Sequence, residues 1–561
     1  MTLSAAPKFN VASFLPRAAA QYPDDVALIY KRRGRWQKMT FAELEALSNR
    51  YAHGLLGTGV KRGQRALLMV KSGPEFVALT FALFKIGTIP VLLDPGMGLK
   101  MALACIRQLA PEVLIAIRPV HVIRTLFPGS FKSLRHNISV GGRWFGATRL
   151  EKIAAKERGV FPPVETDPDK DAAILFTSGS TGPAKGVMYR HAIFEAQVAA
   201  LREMYAFQHG EVDMPGFPLF ALFSTALGVT CLIPELNPSR PAKCDPAKLV
   251  AAIQQFCATS CQGSPAIWKR VGEYCVRNGI KLPTLKRVLT FGAPISVDLI
   301  RDWREKILSG EADIHTPYGA TEALPVSSIG GREILAETAS LTERGFGTCV
   351  GAPAPGIEIR IIRITDEAIE NWSDDLALRQ GEIGEILVRG PVVTWRYDRQ
   401  KEATRLAKIQ DQTTIWHRMG DVGYFDDRGR LWFCGRKAHR IDGEEMWFSV
   451  CGEGMVDGHP EVARSALVGV GKRGAQQPVL IVEPHGGKIP GGSQRTRIVS
   501  EVLERLAAHP LYSKIKKVLF HRGFPVDPRH NAKIHREDLA RWAAKWTNAA
   551  RLEKQDYTLR K

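Results

Sequence analysis

A run of hydroxyl and glycine residues between positions 177 and 186 carries the side chains best suited to chemistry. It directly follows a strand-like apolar run, Ala172 to Phe176, and contains one lysine. Small side chains let a polyanion approach the backbone, where N–H groups, hydroxyls and a mobile cation can surround phosphate oxygens. Ala184 before the lysine and Gly186 after it exclude the P-loop pattern G-x-x-x-x-G-K-[ST]. The predicted phosphate-binding residues are Thr177, Ser178, Gly179, Ser180, Thr181, Gly182 and Lys185.

The elements before this loop alternate between helix-like and strand-like patterns. The segment Thr40–Leu56 is amphipathic, Gln64–Val70 is strand-like, Glu75–Phe84 is helical and Thr88–Leu93 is strand-like again. Strands that alternate with helices are typical of βαβ units in a parallel sheet. We therefore expect an α/β fold with a doubly wound sheet to position the loop.

The same alternation resumes after the loop and then changes character. A helix is predicted over Pro246–Cys257, with Asp245 as its N-cap, followed by a strand in Thr284–Phe291 and a helix in Val297–Leu308. Between Phe346 and Tyr397 the pattern becomes short strands separated by glycines, which is typical of a small β-barrel or an antiparallel sheet.

A domain boundary is predicted after Gly435, which gives a large domain over residues 1–435 and a smaller α+β domain over residues 436–561. The segment Gly469–Gly474 matches GxGxxG and follows a strand. The residues behind it, Ala475–Pro484, have a strand pattern, so no helix N-terminus would face a pyrophosphate. We interpret this motif as a turn and not as a dinucleotide site.

Composition limits the protein class. The 561 residues are 45% hydrophobic and 24% charged, with a formal net charge of +20, which favours anionic partners. Part of the excess is local, because residues 505–561 hold fourteen Lys/Arg against five Asp/Glu. The nine cysteines show no CxxC pair, which fits reduced thiols in the cytoplasm. Met214–Pro234 lacks charge, but its prolines and glycines favour a buried strand and loop lining an apolar pocket over a membrane span.

Five segments in order resemble the adenylate-forming superfamily of acyl-CoA synthetases, peptide-synthetase adenylation domains and luciferases. They are the loop at 177–186, Phe291-Gly-Ala-Pro294, Tyr318-Gly-Ala-Thr-Glu322, Met419-Gly-Asp421 with Gly435-Arg436, and Ala532-Lys533-Ile534. The resemblance spans residues 30–545 and implies that ATP and Mg²⁺ activate a carboxylic acid as an acyl-adenylate. It also implies a mobile C-terminal domain.

The resemblance assigns roles to individual residues. Glu322 and Thr177 would hold Mg²⁺, Thr321 would donate to the α-phosphate, and Lys533 would bridge the carboxylate and the α-phosphate. Gly292, Ala293, Pro294, Tyr318 and Gly319 would enclose the adenine, and Asp421 with Arg436 would bind the ribose. His191 resembles a family histidine for which a structural role at a helix start is as consistent as a catalytic one.

Departures from the CoA-ligase pattern point to the second reaction step. Ala438 and Asp442 replace the aspartate and lysine of the usual hinge and hairpin, although Lys437 could serve as hinge. The hairpin is shortened, and Ala221 stands where CoA ligases commonly have a gating histidine. These features most resemble the β-lactone synthetase family of bacterial long-chain olefin biosynthesis, which closes a 2-alkyl-3-hydroxyalkanoic acid onto its own β-hydroxyl. The alternative is a long-chain fatty acyl-CoA synthetase or fatty acyl-AMP ligase.

The expected partners follow from the charge and the resemblance. We expect a small-molecule long-chain hydroxy acid as substrate, contact with other olefin-pathway enzymes or a membrane surface through basic regions, no transmembrane segment and no nucleic acid. For the proton of the β-hydroxyl, His530 and Lys533 are candidate acceptors.

Overall fold

A computed structural model describes residues 8–154, 159–176, 184–526 and 534–547. The helices are α1 (Phe14–Gln21), α2 (Phe41–Gly57), α3 (Pro74–Lys85), α4 (Leu99–Leu109), α5 (Arg118–Leu126), α6 (Leu150–Ile153), α7 (His191–Tyr205), α8 (Phe220–Leu227), α9 (Pro246–Gln255), α10 (Pro265–Asn278), α11 (Val297–Asp302), α12 (Gly331–Glu333), α13 (Ala339–Glu343), α14 (Lys401–Ala407), α15 (Ser449–Val456), α16 (Gly492–Ala507) and α17 (Arg536–Thr547).

The strands are β1 (Val26–Arg32), β2 (Arg35–Thr40), β3 (Arg65–Met69), β4 (Ile89–Leu92), β5 (Val113–Ile117), β6 (His136–Val140), β7 (Thr148–Arg149), β8 (Asp171–Phe176), β9 (Gly186–Arg190), β10 (Val212–Pro215), β11 (Thr230–Leu232), β12 (Ser260–Gly263), β13 (Arg287–Thr290), β14 (Asp313–His315), β15 (Tyr318–Ala320), β16 (Ala323–Ser328), β17 (Thr348–Pro353), β18 (Glu358–Ile362), β19 (Gly384–Arg389), β20 (Lys408–Asp411), β21 (Thr414–Phe425), β22 (Leu431–Arg436), β23 (Ile441–Asp442), β24 (Met446–Trp447), β25 (Val462–Val470), β26 (Gln477–Pro484) and β27 (Val518–Phe520).

The first parallel sheet has the strand order β7-β6-β5-β3-β4-β8-β9, and only the β8–β9 pair is antiparallel. Both faces are covered, because alternate residues of β3 enter different cores: Leu68 packs in a cluster with α2 and α3, and Leu67 in a cluster with α4 and α5. The chain moves one way along the sheet through α3 and the other way through α4 and α5. Since parallel crossovers are right-handed, α4 and α5 share the face opposite α3. This doubly wound arrangement confirms the predicted fold class.

The second parallel sheet has the order β14-β13-β12-β10-β11-β1-β2, with only β1–β2 antiparallel. The predicted N-cap of α9 is present, because the Asp245 carboxylate accepts the Ala247 N–H at 3.1 Å. The strand predicted in Thr284–Phe291 is β13, and the helix predicted after it starts at Val297 as α11 and continues as a π-helical turn to Ile307.

The structure of the uncharged segment Met214–Pro234 differs from the sequence prediction in one respect. It contains the end of β10, the whole of α8 and then β11, so its middle is a helix where we expected a loop. Its residues are apolar without a clear period, and such short runs do not distinguish helix from strand. None of the helices in the described ranges combines the length and apolar character that crossing a bilayer requires.

The glycine-rich region contributes β17, β18 and β19 to an eight-stranded antiparallel sheet in the order β15-β16-β17-β22-β21-β19-β18, with β20 added beside β21. The following residues build a separate three-stranded sheet, β25-β26-β27, packed between α15, α16 and α17. The GxGxxG motif lies at the turn between the antiparallel strands β25 and β26, as predicted. The chain therefore has a large N-terminal part and a smaller α+β C-terminal part.

Candidate active site

A cavity of about 2230 Å³ lies where these layers meet. The ends of strands in both parallel sheets reach it, through residues such as Val70 after β3 and Phe291 after β13. The antiparallel sheet contributes Asp421, and the C-terminal part contributes Glu453 and Arg536. Ligands of open α/β sheets bind outside the carboxyl ends of the strands, so this is the expected place for a substrate site.

The strands that flank the predicted phosphate loop lead into this cavity. Phe176 at the end of β8 pairs with Gly186 at the start of β9, and Phe176 and Lys185 both line the cavity. The predicted loop residues themselves, Thr177, Ser178, Gly179, Ser180, Thr181 and Gly182, lie outside the described residues.

The residues predicted to enclose the adenine line one wall. Tyr318 and Gly319 belong to β15, and Gly292, Ala293 and Pro294 lie on the opposite loop after β13. Gly292 has φ +92°, which favours glycine. At Gly319 a Cβ atom would lie 2.7 Å from the Ala323 carbonyl oxygen. Both glycines are therefore required by the backbone as well as suited to close ligand approach.

Asp421 is the centre of a buried charged group. Its two carboxylate oxygens accept hydrogen bonds from the Tyr318 hydroxyl at 2.6 Å and the Arg436 guanidinium at 2.7 Å. The antiparallel register of β21 and β22 sets Asp421 directly opposite Arg436. The carboxylate raises the pKa of Arg436, and burial together with the carboxylate raises the pKa of Tyr318, so both partners remain donors.

Glu322 is oriented by a residue that the sequence analysis did not single out. The Tyr397 hydroxyl donates to Glu322 Oε1 at 2.7 Å, and the Thr394 N–H and hydroxyl both donate to the Glu322 carbonyl oxygen. The Lys185 ammonium lies 4.9 Å from the centre of the Tyr397 ring. Tyr397 therefore links the predicted metal ligand to the predicted phosphate cation. Tyr397 and Glu322 are 75 residues apart, and no local spacing signals their contact.

A buried lysine lies beneath this group. Lys408 is 8% exposed, its ammonium donates to the Thr394 carbonyl oxygen, and burial lowers its pKa to about 7. The same Thr394 supports Glu322, so the lysine stabilises the wall that carries the acidic side chain. Thr321, predicted to contact the α-phosphate, lines the cavity, and its carbonyl oxygen accepts the Tyr189 hydroxyl at 2.6 Å.

Lys533 lies outside the described residues, and the described residue that follows it, Ile534, lies at the cavity. Ile534 pairs with Val526 across the segment and lines the cavity together with Arg536. Arg536 forms an ion pair with the buried Glu453 of α15. Burial raises the pKa of Glu453 to about 7 despite this pairing.

The opposite wall of the cavity is apolar and aromatic. The Phe220 ring lies 4.8 Å from that of Phe291, and Phe217 lies 5.7 Å from the same ring. Leu219 and Ile233 continue the wall, as expected from the uncharged segment. Ala221 faces inward in α8 and is fully buried, and it supplies no titratable group there.

Two further predictions concern His191 and the hinge. His191 is the first residue of α7 and is buried, and its Nδ1 accepts the Val11 N–H at 3.2 Å. Burial lowers its pKa to about 4, so the neutral ring has the structural role. The hairpin that the sequence analysis predicts to be shortened consists of the two-residue strands β23 and β24. The Lys437 ammonium lies 3.0 Å from Glu385 Oε1.

The fold and this arrangement of residues define the class. The chain belongs to the AMP-binding enzyme family, whose pattern matches residues 15–397. It is 44% identical over 551 residues to the olefin beta-lactone synthetase of Xanthomonas campestris. This alignment covers 95% of this chain and 97% of that protein. It is 42% identical to the olefin beta-lactone synthetase of Stenotrophomonas maltophilia, over 97% of this chain and 99% of that one.

A solved structure supports the fold over nearly the whole chain. The amide bond synthetase McbA from Marinactinospora thermotolerans superimposes with a TM-score of 0.78 at 23% identity. The match covers 95% of this chain and 99% of McbA, so the large and small parts both have counterparts in an enzyme of this architecture.

Proposed function

We propose that this chain is an ATP-dependent, AMP-forming ligase that activates a long-chain 2-alkyl-3-hydroxyalkanoic acid and closes it to a β-lactone. The observation that carries the proposal is the 44% identity, along almost the full length, to a protein named olefin beta-lactone synthetase. The cavity residues agree with it, because the side chains suited to adenylation are present while the hairpin associated with CoA transfer is short.

In the first half-reaction a carboxylate oxygen of the acid attacks the α-phosphorus of ATP. A bond forms between that oxygen and phosphorus, and the bond to pyrophosphate breaks. The main barrier is crowding of negative charge, so positioned cations and donors lower it. We assign this task to Lys185, Lys533, the Thr321 hydroxyl and the donors of the loop at 177–182.

The nucleotide would be held by groups that are already ordered. A carboxylate has about four acceptor sites, and Tyr318 and Arg436 occupy two of those of Asp421. The remaining sites suit the two ribose hydroxyls. The Tyr318 ring and the loop Gly292–Pro294 would contact the two faces of the adenine.

A magnesium ion fits the donor set through a single carboxylate. The described residues contain no cluster of three or more His, Cys, Asp or Glu side chains that could hold a metal alone. Mg²⁺ usually binds through one or two carboxylates and substrate phosphates, and keeps several waters. Glu322, oriented by Tyr397, and Thr177 would hold the ion, which would supply charge neutralisation at the β- and γ-phosphates.

In the second half-reaction the β-hydroxyl oxygen attacks the activated carbonyl carbon of the same molecule. The new carbon–oxygen bond closes the four-membered ring, AMP leaves with the electron pair of the broken anhydride bond, and the hydroxyl proton passes to a base or to solvent. An intramolecular nucleophile has a high effective molarity, so no tunnel for an external acceptor is required. The wall of Phe217, Phe220 and Phe291 would hold the hydrocarbon.

We further propose the division into residues 1–435 and 436–561, with the second domain delivering Lys533. Its support is that β22 ends at Arg436 and that the following strands form their own sheet. The ion pair between Arg536 and Glu453 would position the segment that carries the lysine. Arg536 and Glu453 are thus positioning residues.

Purified protein incubated with ATP, Mg²⁺ and a synthetic 2-alkyl-3-hydroxy acid tests the function. We expect AMP, pyrophosphate and a product whose mass is that of the acid less one water, all without CoA. An acyl-CoA formed only after CoA is added, with no lactone in its absence, would instead identify a fatty acyl-CoA synthetase.

The matched control is the same acid without its 3-hydroxyl group. It should undergo adenylation but yield no lactone, so AMP release should be slow because the adenylate has no internal acceptor. Efficient turnover of this control acid would contradict the proposed ring closure while leaving adenylation intact.

A further inference from the structure

Exposed apolar side chains are concentrated on one part of the surface. Among the described residues eleven large hydrophobic side chains are exposed, and six of them fall between residues 99 and 145. The six are Leu99, Met101, Val122, Leu126, Phe127 and Phe145. Isolated exposed hydrophobics are ordinary, but a concentrated group marks an interaction site.

These residues share the outer face of the first sheet. Leu99 and Met101 begin α4, and Val122 and Leu126 lie four residues apart on α5, on the side turned away from the buried Val120. Both helices pack on the same 3₁₀ turn, Pro128–Phe131, and contribute to one core cluster beneath them. We call this surface, formed by α4, α5 and the loop 141–147, the outer patch.

The most exposed member is held in place by a half-buried arginine. Phe145 is 96% exposed, yet its carbonyl oxygen accepts a hydrogen bond from the Arg124 guanidinium at 3.1 Å. Beside it the Arg118 guanidinium lies 5.7 Å from the centre of the Trp144 ring. Two arginines of α5 thus fix the loop that presents the Phe145 ring to solvent. An incidentally exposed side chain would not require such support.

The charge of the same surface is strongly one-sided. Helices α4 and α5 and the loop 141–147 contain five Lys/Arg and no Asp or Glu. The five are Lys100, Arg107, Arg118, Arg124 and Arg143. Glu112, between α4 and β5, lies at the amino end of the sheet and accepts the Arg65 N–H at 3.0 Å. The outer patch is therefore both apolar and basic, a combination that suits an anionic lipid surface.

The outer patch adjoins the active-site cavity at the start of α5. Ile117 and Val120, at the start of α5, line the cavity, as does Leu93, which precedes α4. The first turn of α5 therefore reaches the cavity wall, and the exposed apolar side chains of the same helix lie beside it.

We propose that the outer patch docks on the surface of an anionic lipid bilayer and receives the acid from it. We infer a membrane as the partner because the outer patch combines exposed apolar side chains with unbalanced basic charge. It also lies beside a cavity that has an apolar wall. The docking surface stands on its own observations, whereas substrate delivery rests on the proposed function.

The first test measures binding of the full chain to vesicles by flotation, with no substrate present. We expect binding to vesicles of phosphatidylglycerol and phosphatidylcholine, weakened by salt, and little binding to phosphatidylcholine alone. The double variant Leu126→Glu/Phe145→Ser should lose at least tenfold in affinity. Leu56→Glu, which changes an exposed leucine on α2 at the other face of the sheet, should bind as the parent does.

The second test separates docking from chemistry. The double variant should keep the parent's pyrophosphate release with a short, water-soluble 3-hydroxy acid and lose it with a long acid embedded in vesicles. Equal vesicle binding by parent and double variant, or failure of the parent to bind anionic vesicles, overturns the proposal. A parent that self-associates through the outer patch and stays off vesicles overturns it in favour of a second copy of the chain. Failure of both proteins to release pyrophosphate with any acid would instead refute the proposed function.

Discussion

Replacing Asp421 by asparagine tests the nucleotide site directly, because the substitution preserves the shape of the side chain and removes its charge. In the parent the two oxygens accept from Tyr318 at 2.6 Å and from Arg436 at 2.7 Å. An asparagine can present its oxygen to Arg436 only if its amide group faces Tyr318. One acceptor site then remains for the two ribose hydroxyls, so at least one charge-assisted hydrogen bond to the nucleotide is lost.

The expected size of the effect follows from that single bond. A hydrogen bond to a charged group contributes about 1.5–3 kcal/mol. At about 1.4 kcal/mol for each factor of ten, the KM for ATP should rise roughly 10- to 150-fold. Since the ribose is remote from the reacting phosphorus, kcat at saturating ATP should change little. Pyrophosphate release at varied ATP measures both constants.

Asp426→Asn is the matched control for Asp421→Asn. Asp426 lies in the turn between the same two strands and accepts from Arg430 and Trp432, but it does not line the cavity. Its replacement should lower the free energy of unfolding and leave the KM for ATP unchanged. A KM for Asp421→Asn within twofold of the parent value, or equal KM changes in both variants, would refute the assignment of Asp421 to the ribose.

Other substitutions test the remaining parts of the site. Glu322→Gln should raise the Mg²⁺ concentration needed for half-maximal pyrophosphate release. Tyr397→Phe should raise this concentration less, because the ring beside Lys185 is retained. Magnesium titrations of both variants that superimpose on that of the parent would contradict these expectations. Lys533→Ala should abolish most adenylation while ATP still binds in calorimetry, since the cation acts chiefly in the transition state, and a parent-like rate would exclude that role. Lys408→Met should change how the free energy of unfolding depends on pH. The pKa of Lys408 is about 7 in the folded protein and lies below the usual 10.5, so the unfolded state binds more protons between these two pH values. In that range the parent therefore gains up to about 1.4 kcal/mol of unfolding free energy per pH unit. Urea unfolding at several pH values should show a shallower rise for the variant, and parallel curves would argue against a neutral buried amine.

Where local patterns predicted a helix or strand of the N-terminal part, its bounds are correct to within a few residues. The helix expected in Thr40–Leu56 is α2, and its start is set by a reciprocal pair of hydrogen bonds between Thr40 and Glu43. In the C-terminal part, the turn expected at Gly469–Gly474 joins β25 to β26. Capping residues, glycine turns and hydrophobic periodicity act over a few positions, so they can be recognised without the tertiary structure. The helix α8 was missed because its mostly apolar residues show no clear period.

The contacts that orient the candidate site join residues far apart in the chain. Tyr397 donates to Glu322, and Lys408 is buried beneath Thr394. The local sequence around Tyr397 and Lys408 does not distinguish them from a surface tyrosine and a surface lysine. The local sequence likewise does not reveal that Arg124 donates a hydrogen bond to the Phe145 carbonyl oxygen in the outer patch. Only the packed chain shows which side chains lose water and which partners they gain.

The amino-acid sequence by itself predicted the chemistry this protein can offer: a phosphate-binding loop, the acidic and basic residues of adenylation, and a shortened acceptor hairpin. These depend on side-chain type and on spacing along the chain, which are present before folding. The tertiary structure decided how those groups are oriented, which of them are neutral, and that an apolar, basic surface adjoins the cavity. Orientation, desolvation and the sharing of a face arise from contacts between distant segments, and those contacts exist only in the folded chain.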